Sequence, residues 1–206
     1  MTLRKTQTHR LPTGEREIAI GGHVAGIDEA GRGCLAGPVC AAAVILPPHL
    51  LTEDLGFRDS KLLSAKKRAV LAQLIQREAQ VGIALVSSQD IDRINILNAA
   101  MRAMAKAVAA LPSPPDHCLI DGNRVPGELA CPATAVIGGD RLCFSIAAAS
   151  IIAKTHRDAL MQQLHKAYPA YEWARNAGYG TRAHLKALEL VGPSPHHRRS
   201  FKPLRQ

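Results

Sequence analysis

The sequence predicts a mixed α/β fold in one domain, on three observations. Short apolar runs bounded by glycine, proline and acidic residues dominate the first half, as buried strands do. Alanine-rich stretches that stop at prolines lie between and after them, as packed helices do. No internal repeat or linker divides the 206 residues, a length that suits a single core.

Residues 1–21 are polar and basic without periodicity and read as a flexible tail. Val24 to Asp28 is the first buried strand, entering a Gly31-Arg32-Gly33 loop. Val39 to Leu46 is the second, pairing with it as a hairpin and ending at Pro47-Pro48. Residues 47–60 are loop and lead into Asp59-Ser60-Lys61. Ser64 caps a helix to about Glu78, with Leu71, Leu74 and Ile75 on one side. Val81 to Ser88 is a third strand. Asp90 to Leu111 is a helix halted by Pro112, Pro114 and Pro115. Cys118 to Ile120 is a short strand ending on Asp121-Gly122-Asn123, and Ala133 to Ile137 is a fifth, followed by a Gly138-Gly139-Asp140 turn. A long helix, Phe144 to Tyr168, is apolar nearly all round in its first half and so is buried. Thr181 caps a last helix to about Val191. Residues 202–206 read as a second tail.

Composition narrows the function. A net charge of +9 favours a polyanionic partner, nucleic acid before membrane. Aromatic residues are only 3% of the chain, which disfavours base-stacking platforms and favours reading of the backbone. Five cysteines with no C-x-x-C pair argue against a zinc site or disulfide framework and for free thiols in a reducing compartment. No signal core or membrane-length apolar run occurs, so a cytoplasmic protein is expected.

The chemistry-bearing residues gather at strand ends. Buried strands disfavour charge, so adjacent Asp28 and Glu29 need a reason, and coordination of a cation is one. Neighbouring side chains on a strand face opposite ways, so the two acids would converge only if the strand stopped near Asp28. Asp121 closes another strand; if the strands are neighbours, three acids meet, and if not, each caps a turn. Ser150, Lys154 and Asp158 stand four apart on one helix face, either as a solvent-side ion pair or with Asp158 as a fourth acid. Three or four carboxylates suit Mg²⁺ or Mn²⁺, and two such ions about 4 Å apart can drive phosphodiester hydrolysis. Gly31-x-Gly33-x-x-Ala36 mimics a dinucleotide loop, but Gly37-Pro38 and a strand follow where that motif needs a helix. A Ser150/Lys154 nucleophile pair lacks a nearby oxyanion hole. His196-His197-Arg198-Arg199 reads as a phosphate-contacting or solvated tail, not a metal site.

Five motifs in order, Gly26-Ile-Asp-Glu-Ala-Gly-Arg-Gly33, Asp59-Ser-Lys61, Asp121-Gly-Asn123, Ala147 to Lys154 with Arg157-Asp158, and Gly178-Tyr-Gly-Thr181, resemble the type 2 ribonuclease H family, ribonuclease HII. The resemblance spans about residues 22–201, as one catalytic domain with a helical C-terminal part. It implies a ribonuclease H-like fold with a central mixed five-stranded sheet flanked by helices. It implies a metal-dependent endoribonuclease that cuts RNA in RNA–DNA hybrids. It further implies incision 5′ of single ribonucleotides in duplex DNA, leaving 3′-hydroxyl and 5′-phosphate ends, in ribonucleotide removal. By motif match, Asp28, Glu29, Asp121 and Asp158 would hold Mn²⁺ or Mg²⁺. Gly31, Arg32 and Gly33 would read the ribose 2′-hydroxyl, and Tyr179 the deoxyribose beyond it. Lys61, Ser150 and Lys154 would contact phosphates. A monomer without an obligate protein partner is expected. Two alternatives are a silent hybrid-binding protein and a nuclease restricted to long hybrids.

Overall fold

The structure, a computed structural model, describes residues 11–205. Five strands form one sheet: β1 (Val24–Ala30), β2 (Val39–Ile45), β3 (Gln80–Val86), β4 (His117–Asp121) and β5 (Ala133–Val136). They lie in the order β3-β2-β1-β4-β5. The β1–β2 and β2–β3 pairs are antiparallel, and β1–β4 and β4–β5 are parallel. The expected mixed sheet and the opening hairpin are therefore present.

Period-two alternation sorts the strand residues onto two cores. Cys40, Ala42 and Val44 face helices α2 (Ala65–Glu78) and α4 (Phe144–Ala167), whereas Ala25, Ile27, Val39, Ala41 and Ala43 face α3 (Ser88–Ala109). Burial on both faces explains why the strands read as continuous apolar runs. Alanines on β2 and α4 keep the layers close. At Gly26 an added Cβ would lie 2.1 Å from the Ser145 backbone, so only glycine lets the start of α4 cross β1.

Element boundaries differ modestly from those expected, and three expectations are corrected. The first strand does not stop at Asp28 but runs to Ala30, because β2 continues to pair with it through Ala30↔Cys40. Residues 11–21 do not form a flexible tail. Glu15–Ile20 is a helix, α1, whose Glu17 is 2% exposed; its Oε1 accepts from the backbone N–H of Ser145 at 2.8 Å and from the Ser145 hydroxyl at 2.6 Å. Glu17 thereby caps the N-terminus of α4, an interaction worth about 0.5–2 kcal/mol. The rest of that expected tail, residues 1–10, lies outside the described residues.

The third correction concerns the basic C-terminal stretch. Helices α5 (Trp173–Asn176) and α6 (Arg182–Val191) fold against α4 around Trp173, Tyr171, Met161 and Ala36. His197 and Arg198 follow them and are 2% and 0% exposed. Neither sits in a solvated tail. His197 accepts from the Ser194 backbone N–H at Nδ1, so its Nε2 donates to Nε2 of His184, 2.9 Å away. Trp173 Nε1 donates to the same His184 nitrogen at 3.2 Å, and His184 Nδ1 donates to the carbonyl of Tyr179 at 2.9 Å. Every donor in this relay has an acceptor only when both imidazoles are neutral.

Burial, then neighbouring His184, lowers the His197 pKa from the ordinary 6.5 to about 4. Between those values the unfolded chain binds a proton that the folded chain refuses. The His197 contribution is therefore complete above about pH 6.5 and declines by roughly 1.4 kcal/mol per pH unit toward pH 4. Ring-proton NMR should give a His197 midpoint near pH 4. A midpoint at the ordinary value would refute this packing.

Candidate active site

The site lies where the central strands part. Pairing between β1 and β4 ends at Ile27↔Ile120, after which β1 continues along β2 while Asp121 pairs with Val136 of β5. A crevice opens at the carboxyl ends of two parallel strands, the place where open α/β sheets put their ligands. The gap resolves the geometry that strand alternation seemed to forbid. Asp28 points to the α4 side and Glu29 to the other, yet both border the opening, because no strand separates them there.

The cleft encloses about 690 Å³. Asp28, Glu29, Gly31, Arg32, Gly33, Lys61, Asp121, Ser150, Lys154 and Tyr179 line it, joined by Ser60 and Arg68. Of the residues singled out from sequence, Asp158 is the one not on this wall. Ser150 shares the cleft wall with the acids, and its hydroxyl donates to that of Ser60 at 3.0 Å. Asp158 lies two turns further along α4, about 12 Å of helix rise away. Its carboxylate takes Lys154 at 2.7 Å and Arg68 at 3.8 Å. The i, i+4 spacing puts the three residues on one face, as expected, but the face outruns the cleft.

Asp140 is absent from this wall too, but the turn that carries it is tied to the acids. The N–H of Gly139 donates to Asp121 Oδ1 at 2.7 Å, so the turn after β5 is tied to the carboxylate that ends β4. Asp140 is 9% exposed. Burial, then Asp59 and Asp121, raises its carboxyl to about 6. The sequence carries a signal for it: a strand, then glycine, then an acid, close to the pattern that marks Asp28 and Asp121. Pattern alone gives that acid only a place in a turn.

Electrostatics unify the group. Burial, then the charges of Glu29 and Asp121, raises Asp28 well above the ordinary carboxylate range. Burial also raises Glu29, opposed by Arg32, whose Nη1 is 3.1 Å from Glu29 Oε1. Burial alone would lower Lys61, but Asp59, Asp28 and Asp140 hold it above its usual value. Among the described residues no three acidic, histidine or cysteine side chains converge tightly enough to hold an ion as they stand. They are spread around a cleft, where burial and the charges of neighbouring acids disfavour ionisation, a strain that a proton or a cation relieves. An all-oxygen donor set suits Mg²⁺ or Mn²⁺, which take few carboxylates and keep several waters.

Two buried arginines support the cleft from behind. Arg157, 1% exposed, donates to the carbonyls of Ala36, Pro38 and Ala177 at 2.8–3.0 Å. Arg198 donates to those of Gly31, Arg32 and Gly37 at 2.7–3.0 Å. Sequence reasoning assigns neither role, since carbonyl acceptors leave no mark in side-chain pattern. It also misses Arg68, which holds the Lys61 loop through the Ser60 and Leu63 carbonyls.

Comparison with known proteins identifies relatives of the chain and of its fold. The family profile described as Ribonuclease HII matches residues 25–204. A ribonuclease HII of Paramagnetospirillum magneticum is 54% identical over 198 residues, covering 95% of this chain and 98% of that protein. The ribonuclease HII solved in a PCNA complex from Archaeoglobus fulgidus superposes with a TM-score of 0.74 at 28% identity, covering 89% of this chain and 96% of that one. Bst ribonuclease HIII, solved in complex with Mn²⁺, shares the fold with a TM-score of 0.69 at 19% identity, over 99% of this chain and 73% of that one.

Gly31 has φ +95°, and an added Cβ would lie 2.0 Å from Arg157 Nε. Gly31→Ala should therefore destabilise the protein by roughly 2–4 kcal/mol, combining backbone strain with displacement of a buried guanidinium. Urea denaturation checks this. A change under about 0.5 kcal/mol would contradict the packing beneath the loop.

Proposed function

The chain belongs to the ribonuclease HII family, and so is an endoribonuclease acting on RNA–DNA substrates; we propose that it also incises 5′ of single ribonucleotides in duplex DNA, leaving 3′-hydroxyl and 5′-phosphate ends. The observation that carries this reading is adjacency. Asp28, Glu29, Asp121 and the Gly31-Arg32-Gly33 loop border one cleft, with Tyr179 on its rim at 42% exposure.

In this reading Asp28, Glu29, Asp121 and Asp140 hold the divalent ions, and Asp158 positions Lys154 instead of coordinating. Bound Mg²⁺ or Mn²⁺ would supply a low-pKa water and stabilise charge on the phosphodiester. The chain's own residues do the rest. Lys61 and Lys154 place ammonium charge on the cleft wall, with Ser150 between Lys154 and the acids, where a phosphate backbone can lie. Glycines at 31 and 33 let the backbone approach the ribose, whose 2′-hydroxyl distinguishes RNA from DNA. The flat ring of Tyr179 packs against the sugar that follows, so a deoxyribose there marks the junction. Recognition through sugar and phosphate also fits a basic chain with few aromatic residues. Ribonucleotide removal from DNA is the role this specificity serves.

Asp28→Asn should abolish cleavage while hybrid binding persists. Asp140→Asn should lose at least about 100-fold in rate, and Asp158→Asn no more than about tenfold. Equal losses at 140 and 158 would return Asp158 to the metal site. Tyr179→Ala should lose activity on a single-ribonucleotide duplex at least about tenfold more than on a continuous RNA–DNA hybrid. Equal loss on both substrates would remove the junction role from Tyr179.

A further inference from the structure

We infer that Arg198 is a positioning residue that sets which way the Gly31–Gly33 peptides face, and thereby the preference for a ribonucleotide; this rests on the reading that the loop meets the ribose. Its burial is unusual. Arg198 is 0% exposed and makes no salt bridge among the described residues. A buried cation without a carboxylate partner is costly unless its donors are satisfied. Nε donates to Gly37 O at 3.0 Å, Nη1 to Arg32 O at 2.8 Å and Nη2 to Gly31 O at 2.7 Å. Phe201 covers the group, its ring centroid 5.1 Å from Arg198 Cζ.

Two of those acceptors belong to consecutive peptides of the loop. Both peptide bonds are trans, and in a trans peptide the carbonyl and the next N–H point in opposite directions. Drawing the carbonyls of Gly31 and Arg32 inward onto one guanidinium therefore turns the N–H groups of Arg32 and Gly33 outward. Among the described residues neither N–H meets an acceptor. Both residues line the cleft. The result is two adjacent backbone donors presented to the cleft, with a fixed positive charge behind them. That combination suits an oxygen carrying partial negative charge, which the ribose 2′-hydroxyl supplies and deoxyribose lacks.

Lysine cannot replace this arrangement. Its ammonium is a point donor and cannot span three carbonyls held in a planar fan. Arg157 acts in the same way next door. Its Nη1 holds Ala177 O, just before the Gly178-Tyr179 segment, and its Nε and Nη2 hold the 36–38 segment that Arg198 also grips.

Binding in EDTA tests the proposal without cleavage. Wild type and Arg198→Lys are titrated with a duplex carrying one ribonucleotide and with the all-DNA duplex of the same sequence. Wild type should prefer the ribonucleotide. The variant should lose about fivefold or more of that preference, with all-DNA affinity changed by less than about twofold. A purely structural role would weaken both duplexes alike and would overturn the inference, as would an unchanged preference. No preference in wild type would instead defeat the substrate reading beneath it. Should Arg198→Lys fail to fold, amide NMR of the wild-type protein decides. The Arg32 and Gly33 amides should exchange freely and shift with the ribonucleotide duplex but not with the all-DNA duplex. Protected amides, or equal shifts with both, would overturn it.

Discussion

The parting of β1 from β4 is the constraint on which the rest of the structure depends. Had the parallel pair stayed hydrogen-bonded past Ile27 and Ile120, Asp28 and Glu29 would face opposite sides of a closed sheet. The divergence makes one opening that both acids border and brings Asp121 to the same edge. It also sets the cost of the site, since several carboxylates are withdrawn from water beside one another. The fold accepts that cost through a dense surround: alanine-rich layers on both faces of β2, Gly26 under α4, and Glu17 capping α4 from the N-terminal helix.

In the proposed reading, recognition and chemistry use different physical means within the same few residues. The acids act through side chains, while the adjacent loop presents main chain. Main chain needs orienting from behind, and the two buried guanidinium groups engage carbonyls on the inner side of residues 31–38 and at Ala177. A surface built from peptide groups and sugar contacts carries no base preference. That fits the proposed reading of sugar type.

Much of this is legible in the sequence, and the failures have physical causes. Strand-end acids and the opening hairpin can be read because apolar runs ending in charge are rare without a function. Asp158 falls beyond the cleft wall, which pattern does not foresee, because helical periodicity reports which face a residue occupies, not how far along the helix the cleft reaches. Asp140 is passed over because Gly-Gly-Asp resembles any turn until Gly139 is seen donating to Asp121. The His197-Arg198 stretch looks like a solvated tail because composition records charge. It cannot record that three main-chain carbonyls wait to receive one guanidinium.

The central claim is that these strand-end carboxylates form a site for a hard divalent cation. Direct titration with Mn²⁺, followed by the loss of its free-ion EPR signal, tests this without reference to turnover. Wild type should bind Mn²⁺, and Asp121→Asn should weaken that binding by at least about tenfold while the fold is retained. Mn²⁺ affinity unchanged by Asp121→Asn would contradict the account.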